Sequence, residues 1–154
     1  MNFDFYFGKE LIFNKLRFKS NEEALIFLSR KLYEKGYVKE EFKDAVISRE
    51  RQYPTGLASK SVKIAIPHAE HTMVNKSAIA VAILEEPIEF RSMENSEDIL
   101  DVKIIIMLAI DKPHGHIEML QKIAVLIRDE NALLKSLEAD TPEEIESIFG
   151  KFLR

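Results

Sequence analysis

The chain reads as an α/β fold, a single mixed β-sheet with helices on both faces. Three observations predict it. Two apolar runs, Ala78–Leu84 and Val102–Ile110, the second broken only by Lys103, have the length and β-branched content of strands buried on both faces. Segments with apolar residues at helical spacing lie on either side of them, toward both ends of the chain. And 154 residues, 46% hydrophobic and 31% charged, suit one folded domain over 1–154 with a core of about 11–152, not a disordered chain.

The elements follow in order. Leu11–Ile12–Phe13 and Leu16 to Phe18 form a short extended segment. Ser20 opens the first helix, because Ser20 and Glu23 are spaced as a capping box that satisfies free N–H groups of the first turn. Ala24, Leu25, Phe27, Leu28, Leu32 and Tyr33 recur at helical spacing, and Gly36 stops the helix. A second helix runs from about Glu40 to Gln52, with Phe42, Ala45 and Val46 inward. It ends before Pro54, since the residue ahead of a proline is driven out of the helical region. Pro54–Thr55–Gly56 is a turn. Val62–Ile66 alternates and is β-branched, so it is a strand, cut off by Pro67. After the first apolar run, Pro87 assigns Ile88–Phe90 to a short strand at an edge. Asp111–Gly115 is a loop, and a helix begins at about His116 with Ile117, Leu120, Ile123, Ala124 and Ile127 on one face. Leu133, Leu134 and Leu137 mark a further short helix. Thr141 and Glu144 form a second capping box, with Pro142 at the first helical position of a last helix ending near Phe152.

Composition removes several function classes. There are no cysteines, hence no disulfide framework, no Cys-bearing zinc site and no thiol nucleophile. With 22 basic and 26 acidic residues the net charge is −4, and no basic stripe is present to hold nucleic acid. The charge is uneven: residues 1–77 hold 14 basic and 10 acidic side chains, residues 78–154 hold 8 and 16. The longest apolar runs have seven residues, against roughly 18 for a membrane-spanning helix. No signal-peptide pattern opens the chain, and a cytoplasmic location is expected.

Four histidines carry the chemical interest. His68 follows Ile64–Ala65–Ile66–Pro67 and so sits just past a buried strand, where α/β folds gather their sites, behind a proline that fixes the backbone. An inert loop histidine is the competing reading. His114 and His116 flank Gly115 at the mouth of a helix, whose free N–H groups favour an anion. His116 is the stronger of the two, and His114 and His71 read as surface residues. Paired as metal ligands, the four match no standard zinc spacing, and no metal is expected. Arg49–Glu50 ends the second helix. A guanidinium there suits a phosphoryl group through charge-assisted bonds, a surface ion pair being the alternative. Nucleotide-loop, nucleophile-elbow and zinc-helix motifs are all missing.

Arg49–Glu50, Pro54–Thr55–Gly56–Leu57, Ile64–Ala65–Ile66–Pro67–His68–Ala69 and His116–Ile117–Glu118–Met119–Leu120, in this order, resemble enzyme IIA of the bacterial sugar phosphotransferase system, fructose–mannitol–galactitol type. The resemblance covers about Leu11 to Phe152, and the run Tyr53–Pro54–Thr55–Gly56–Leu57 leans toward the galactitol type. It implies a phosphohistidine carrier that receives its phosphoryl group from the phosphocarrier HPr and passes it to enzyme IIB, for a sugar entering through the membrane component IIC. By the motif match His68 is the phosphoryl acceptor, Arg49 balances the phosphoryl charge, and His116 stands where mannitol- and fructose-type members carry a second active-site histidine. The absence of cysteine implies that the chain is not the cysteine-phosphorylated IIB partner.

The chemistry of these residues agrees with that role. A neutral imidazole nitrogen is a competent nucleophile near pH 7, its ordinary pKa being about 6.5. Phosphoryl transfer asks mainly for position and charge balance, and no nucleotide, metal or other cofactor is needed when the group arrives already activated. The acceptor must be reachable by two partner proteins in turn, which predicts a shallow site rimmed by apolar residues, with Leu57, Ile66 and Met119 as candidates. The alternative function is a regulatory domain of the same fold that signals its phosphorylation state by binding a partner.

Overall fold

The computed structural model describes residues 4–154. Strands β1 (Ile12–Leu16), β2 (Gly56–Ala58), β3 (Lys63–Ala65), β4 (Ala78–Arg91) and β5 (Ile99–Ala109) form one sheet in the order β1-β4-β5-β3-β2. It is mixed: β1 runs parallel to β4 and β3 parallel to β5, while β4–β5 and β2–β3 are antiparallel. Helices α1 (Asn21–Glu34) and α2 (Phe42–Gln52) cover one face, and α3 (Gly115–Arg128), α4 (Glu130–Glu138) and α5 (Pro142–Leu153) the other.

The period-2 pattern of β4 explains the layering. Ala78, Ala80 and Ala82 point to the α1–α2 side, where Leu25, Leu28, Leu32, Phe42 and Val46 fill the space. Ile79, Val81 and Ile83 point to the other side, against Met119, Ile123, Leu126, Ile145 and Phe149. Small residues facing bulky helix residues, and bulky ones facing the second layer, let both layers close-pack on the same strands.

Local chemistry sets the helix ends. Ser20 Oγ accepts from the Glu23 N–H at 3.2 Å, and Thr141 Oγ1 from the Glu144 N–H at 3.3 Å. At the end of α1, Gly36 has φ +83°, its N–H bonds to the Tyr33 carbonyl, and the Tyr37 N–H reaches the Leu32 carbonyl.

Three elements differ from the sequence reading. Gly56, expected within a turn, starts β2, paired with Ala65 and closed by a 2.8 Å bond from the Met93 N–H to the Gly56 carbonyl. A Cβ at Gly56 would lie 2.6 Å from the Arg91 carbonyl oxygen, so this approach requires glycine. Ile88–Phe90 is the continuation of β4 rather than a separate strand; a register shift between Ile83 and Ile88 absorbs the Glu85–Pro87 segment. Ile117, expected on the inward face of its helix, is 58% exposed, because Met119, Ile123 and Leu126 face the sheet instead.

Candidate functional site

The chain leaves β3 through Ile66–Pro67–His68 and continues beside β5. The Leu108 N–H donates to the Pro67 carbonyl at 3.0 Å, and His68 pairs with Leu108 as an isolated parallel bridge. The His68 ring is half-buried, with Nδ1 2.9 Å from the Ile66 carbonyl oxygen. A carbonyl only accepts, so Nδ1 carries the proton and Nε2 keeps its lone pair. Burial lowers the His68 pKa from 6.5; Arg49 adds to the fall, and the bond to Ile66 opposes it.

His116 stands in the first turn of α3, its ring centroid 4.7 Å from that of His68 with 35° between the planes. Burial first, then the charges of His68, Arg49 and His71, bring its pKa down to about 4. Near pH 7 it is therefore neutral. Arg49, in the last turn of α2, rests its guanidinium 5.3 Å from the centre of the Tyr53 ring. Two buried nitrogens here, Arg49 Nε and His116 Nε2, have no hydrogen-bond partner among the described residues. Buried polar groups are normally paired. An electropositive site with unpaired nitrogens and a free imidazole lone pair suits an anion that accepts hydrogen bonds and presents an electrophilic atom.

Two side-chain pairs brace the surrounding loops. Glu50 accepts from the Thr55 N–H and from Thr55 Oγ1, both at 2.8 Å, while the Ile66 N–H donates to Thr55 Oγ1 at 3.2 Å. Ser77 Oγ donates to Asp111 Oδ1 at 2.7 Å and accepts from the Asp111 N–H at 2.9 Å, tying the approach to β4 to the loop that leads into α3.

The structure thus brings His68, His116 and Arg49 together. The expected apolar rim needs correction. Ile66 and Met119 are fully buried. Ile66 turns into the core as the chain exits β3, and Met119 lies on the sheet-facing side of α3. Leu57 alone of the three is partly exposed. It lines an apolar groove with Met93, Leu120, Ala124 and Ile127, with Ile66 beneath. Leu120 is one turn beyond His116, so the groove begins beside the imidazoles. The sequence reading set aside His71, whose charge acts on His116, and gave Thr55 no task of its own. His71 has no local signal, whereas Thr55 stands in the Pro54–Thr55–Gly56–Leu57 motif and only its bonds to Glu50 and Ile66 await the folded chain. His114, the residue before α3, is exposed and makes no side-chain cap bond.

Among the described residues no helix is long and apolar enough to cross a membrane, and no group of three or more metal-ligating side chains is assembled.

Comparison with known proteins gives a consistent result. The chain is 30% identical over 136 residues to the 2-O-alpha-mannosyl-D-glycerate-specific EIIABC component of the phosphotransferase system of Escherichia coli K12, which covers 85% of this chain but only 20% of that protein. It is 28% identical over 145 residues to the mannitol-specific phosphotransferase enzyme IIA component of Halalkalibacterium halodurans, covering 92% of each. Its fold matches enzyme IIAMtl of Escherichia coli, solved in complex with phosphorylated enzyme IIBMtl, with TM-score 0.80 and 25% identity over 96% of this chain and 99% of that one. Residues 5–151 match the family profile described as phosphoenolpyruvate-dependent sugar phosphotransferase system, EIIA 2, and the chain belongs to that family.

Proposed function

We propose that this domain is a phosphoryl carrier in which His68 Nε2 accepts a phosphoryl group from phospho-HPr and hands it to an enzyme IIB, for a sugar taken up through a membrane IIC component. One observation carries the reading: the His68 Nδ1–H is committed to the Ile66 carbonyl, which leaves Nε2 free beside two buried nitrogens without partners. The Nε2 lone pair attacks phosphorus, the new N–P bond forms as the donor's P–N bond breaks, and the donor nitrogen leaves with that electron pair. Arg49 balances the charge of the phosphoryl oxygens, and the neutral His116 donates an N–H to one of them. The groove of Leu57, Met93, Leu120, Ala124 and Ile127 supports a docking role, being apolar and next to the imidazoles, and both partners would use it in turn. With that donor and acceptor the cytoplasm is the expected location. The Tyr53–Leu57 run makes the galactitol type the expected sub-type.

The test is incubation with phosphoenolpyruvate, enzyme I and HPr. An acid-labile mass gain of one phosphoryl group that disappears in His68→Ala is expected. No gain, or a gain that survives that substitution, overturns the reading. Onward transfer to galactitol- or mannitol-type IIB then assigns the sub-type, and phosphorylation with no transfer to any IIB favours the regulatory alternative.

A further inference from the structure

Glu50 stands where a carboxylate is disfavoured. It is 8% exposed, and it lies in the last turn of α2, where unpaired carbonyls make the helix end negative. Neither placement stabilises the fold by itself. Yet both carboxylate oxygens are committed to one residue, Thr55, through its N–H and its hydroxyl. Thr55 in turn holds Ile66, whose N–H lies 3.3 Å from the Thr55 carbonyl oxygen and 3.2 Å from its Oγ1. The Ile66 carbonyl then receives His68 Nδ1. Pro67 has no N–H to offer, so on its N-terminal side the short segment bearing His68 is anchored through Ile66.

We propose that Glu50 is a positioning residue for phosphoryl acceptance: by holding Thr55 it fixes Ile66, whose carbonyl sets the tautomer and the aim of the His68 ring. The inference rests on the phosphoryl-carrier reading of His68. It separates Glu50 from its neighbour Arg49, which acts on the phosphoryl group itself. Glu50 reaches the nucleophile only through two intervening residues, and its substitution changes the orientation of His68 without touching the docking groove.

Two measurements on the full chain test it. Nitrogen-15 NMR of labelled histidine, with no partner present, reads the His68 tautomer, and rapid-quench kinetics read phosphoryl uptake from phospho-HPr. In Glu50→Ala, His68 is expected to become a mixture of tautomers and kcat to fall about tenfold or more with KM for phospho-HPr unchanged. Glu50→Gln keeps an acceptor for the Thr55 N–H and is expected to restore both tautomer and rate. A folded Glu50→Ala chain with the wild-type tautomer and kcat overturns the proposal, as does a Glu50→Gln chain as impaired as Glu50→Ala. If Glu50→Ala does not fold, Thr55→Val removes the hydroxyl link to Ile66, and an unchanged tautomer there overturns the proposal equally. If wild-type chain takes up no phosphoryl group, the carrier reading fails, while the tautomer comparison still decides the role of Glu50.

Discussion

His68 and His116 are separated in sequence by the two long strands β4 and β5, yet their rings lie 4.7 Å apart and each is held neutral mainly by burial. Two imidazoles so close cannot both be cations at low cost. The pair therefore keeps one lone pair ready on His68 and leaves His116 free to donate a single N–H.

This fixes the pH dependence of phosphoryl uptake. The nucleophile is active when neutral, and the His68 pKa is lowered from 6.5. The acid limb of the rate profile is expected at a midpoint below 6.5, with a plateau above it. Single-turnover uptake from phospho-HPr between pH 5 and 8, corrected for the stability of the donor, measures it. A midpoint above 6.5 contradicts the buried, neutral pair.

Arg49→Ala is expected to slow uptake by about 10²–10³-fold, the usual cost of removing one preorganised donor to developing charge. Stability should change little, because the packing lost is the contact with the exposed Tyr53 ring, worth about 1 kcal/mol at most. Arg49→Lys keeps the charge without the fork of donors and should recover part of the rate. Rapid-quench kinetics with a thermal melt on each variant decide it; a wild-type rate in Arg49→Ala removes the guanidinium from the site.

Glu50 and His116 are expected to give stability opposite dependences on pH. Burial, opposed by the Thr55 bonds and by Arg49, raises Glu50 from 4.5 to about 7. The folded state then binds more protons than the unfolded one between those values, so stability falls as pH rises through them. His116, lowered from 6.5 to about 4, does the reverse: the unfolded state binds more protons in that window, and stability is lost as pH falls through it. Relative to wild type, Glu50→Gln should gain stability above pH 7, by up to about 3 kcal/mol. His116→Gln should gain toward pH 4. Urea unfolding across pH 4–8 measures both, and parallel profiles for all three proteins contradict the assignment.

Gly56→Ala is expected to destabilise the fold by about 2 kcal/mol, the usual range for forced overpacking. The new methyl group would meet the Arg91 carbonyl at 2.6 Å, and that oxygen belongs to the backbone of β4, which cannot move alone. Uptake at His68 should fall too, since Thr55 is the adjacent residue. A thermal melt matching wild type would contradict the requirement for glycine at this contact.

What was legible in the sequence is what depends on near neighbours. The Ser20 and Thr141 caps are chemistry between residues three apart. Gly36 is a conformational preference of one residue, and the two buried runs announce themselves by length. That His68, His116 and Arg49 sit beside a strand end or helix end is local pattern too, whereas the roles expected of them rest on the resemblance to enzyme IIA. The three-residue β2 was not, for it has little strand propensity and exists through pairing on β3 and contact with the segment after β4. The rim was misplaced for a related reason. Whether Ile66 and Met119 face solvent depends on how the exit of β3 and the first turns of α3 rotate against the sheet, which no local pattern encodes. Leu120 was recognised as part of an apolar helix stripe, though the open side of that stripe appears only when Leu57 and Met93 arrive beside it.

The bridge between His68 and Leu108 has a consequence for folding. It extends the parallel β3–β5 pairing, a contact between distant parts of the chain with the whole of β4 between them in sequence. Such pairings carry a large loop-closure entropy and form late. The nucleophile is therefore expected to be assembled late, together with the rest of the sheet. In a refolding experiment, the return of phosphoryl uptake would mark the arrival of native topology and lag behind helix content, so that a misfolded or half-made chain stays outside the phosphoryl relay.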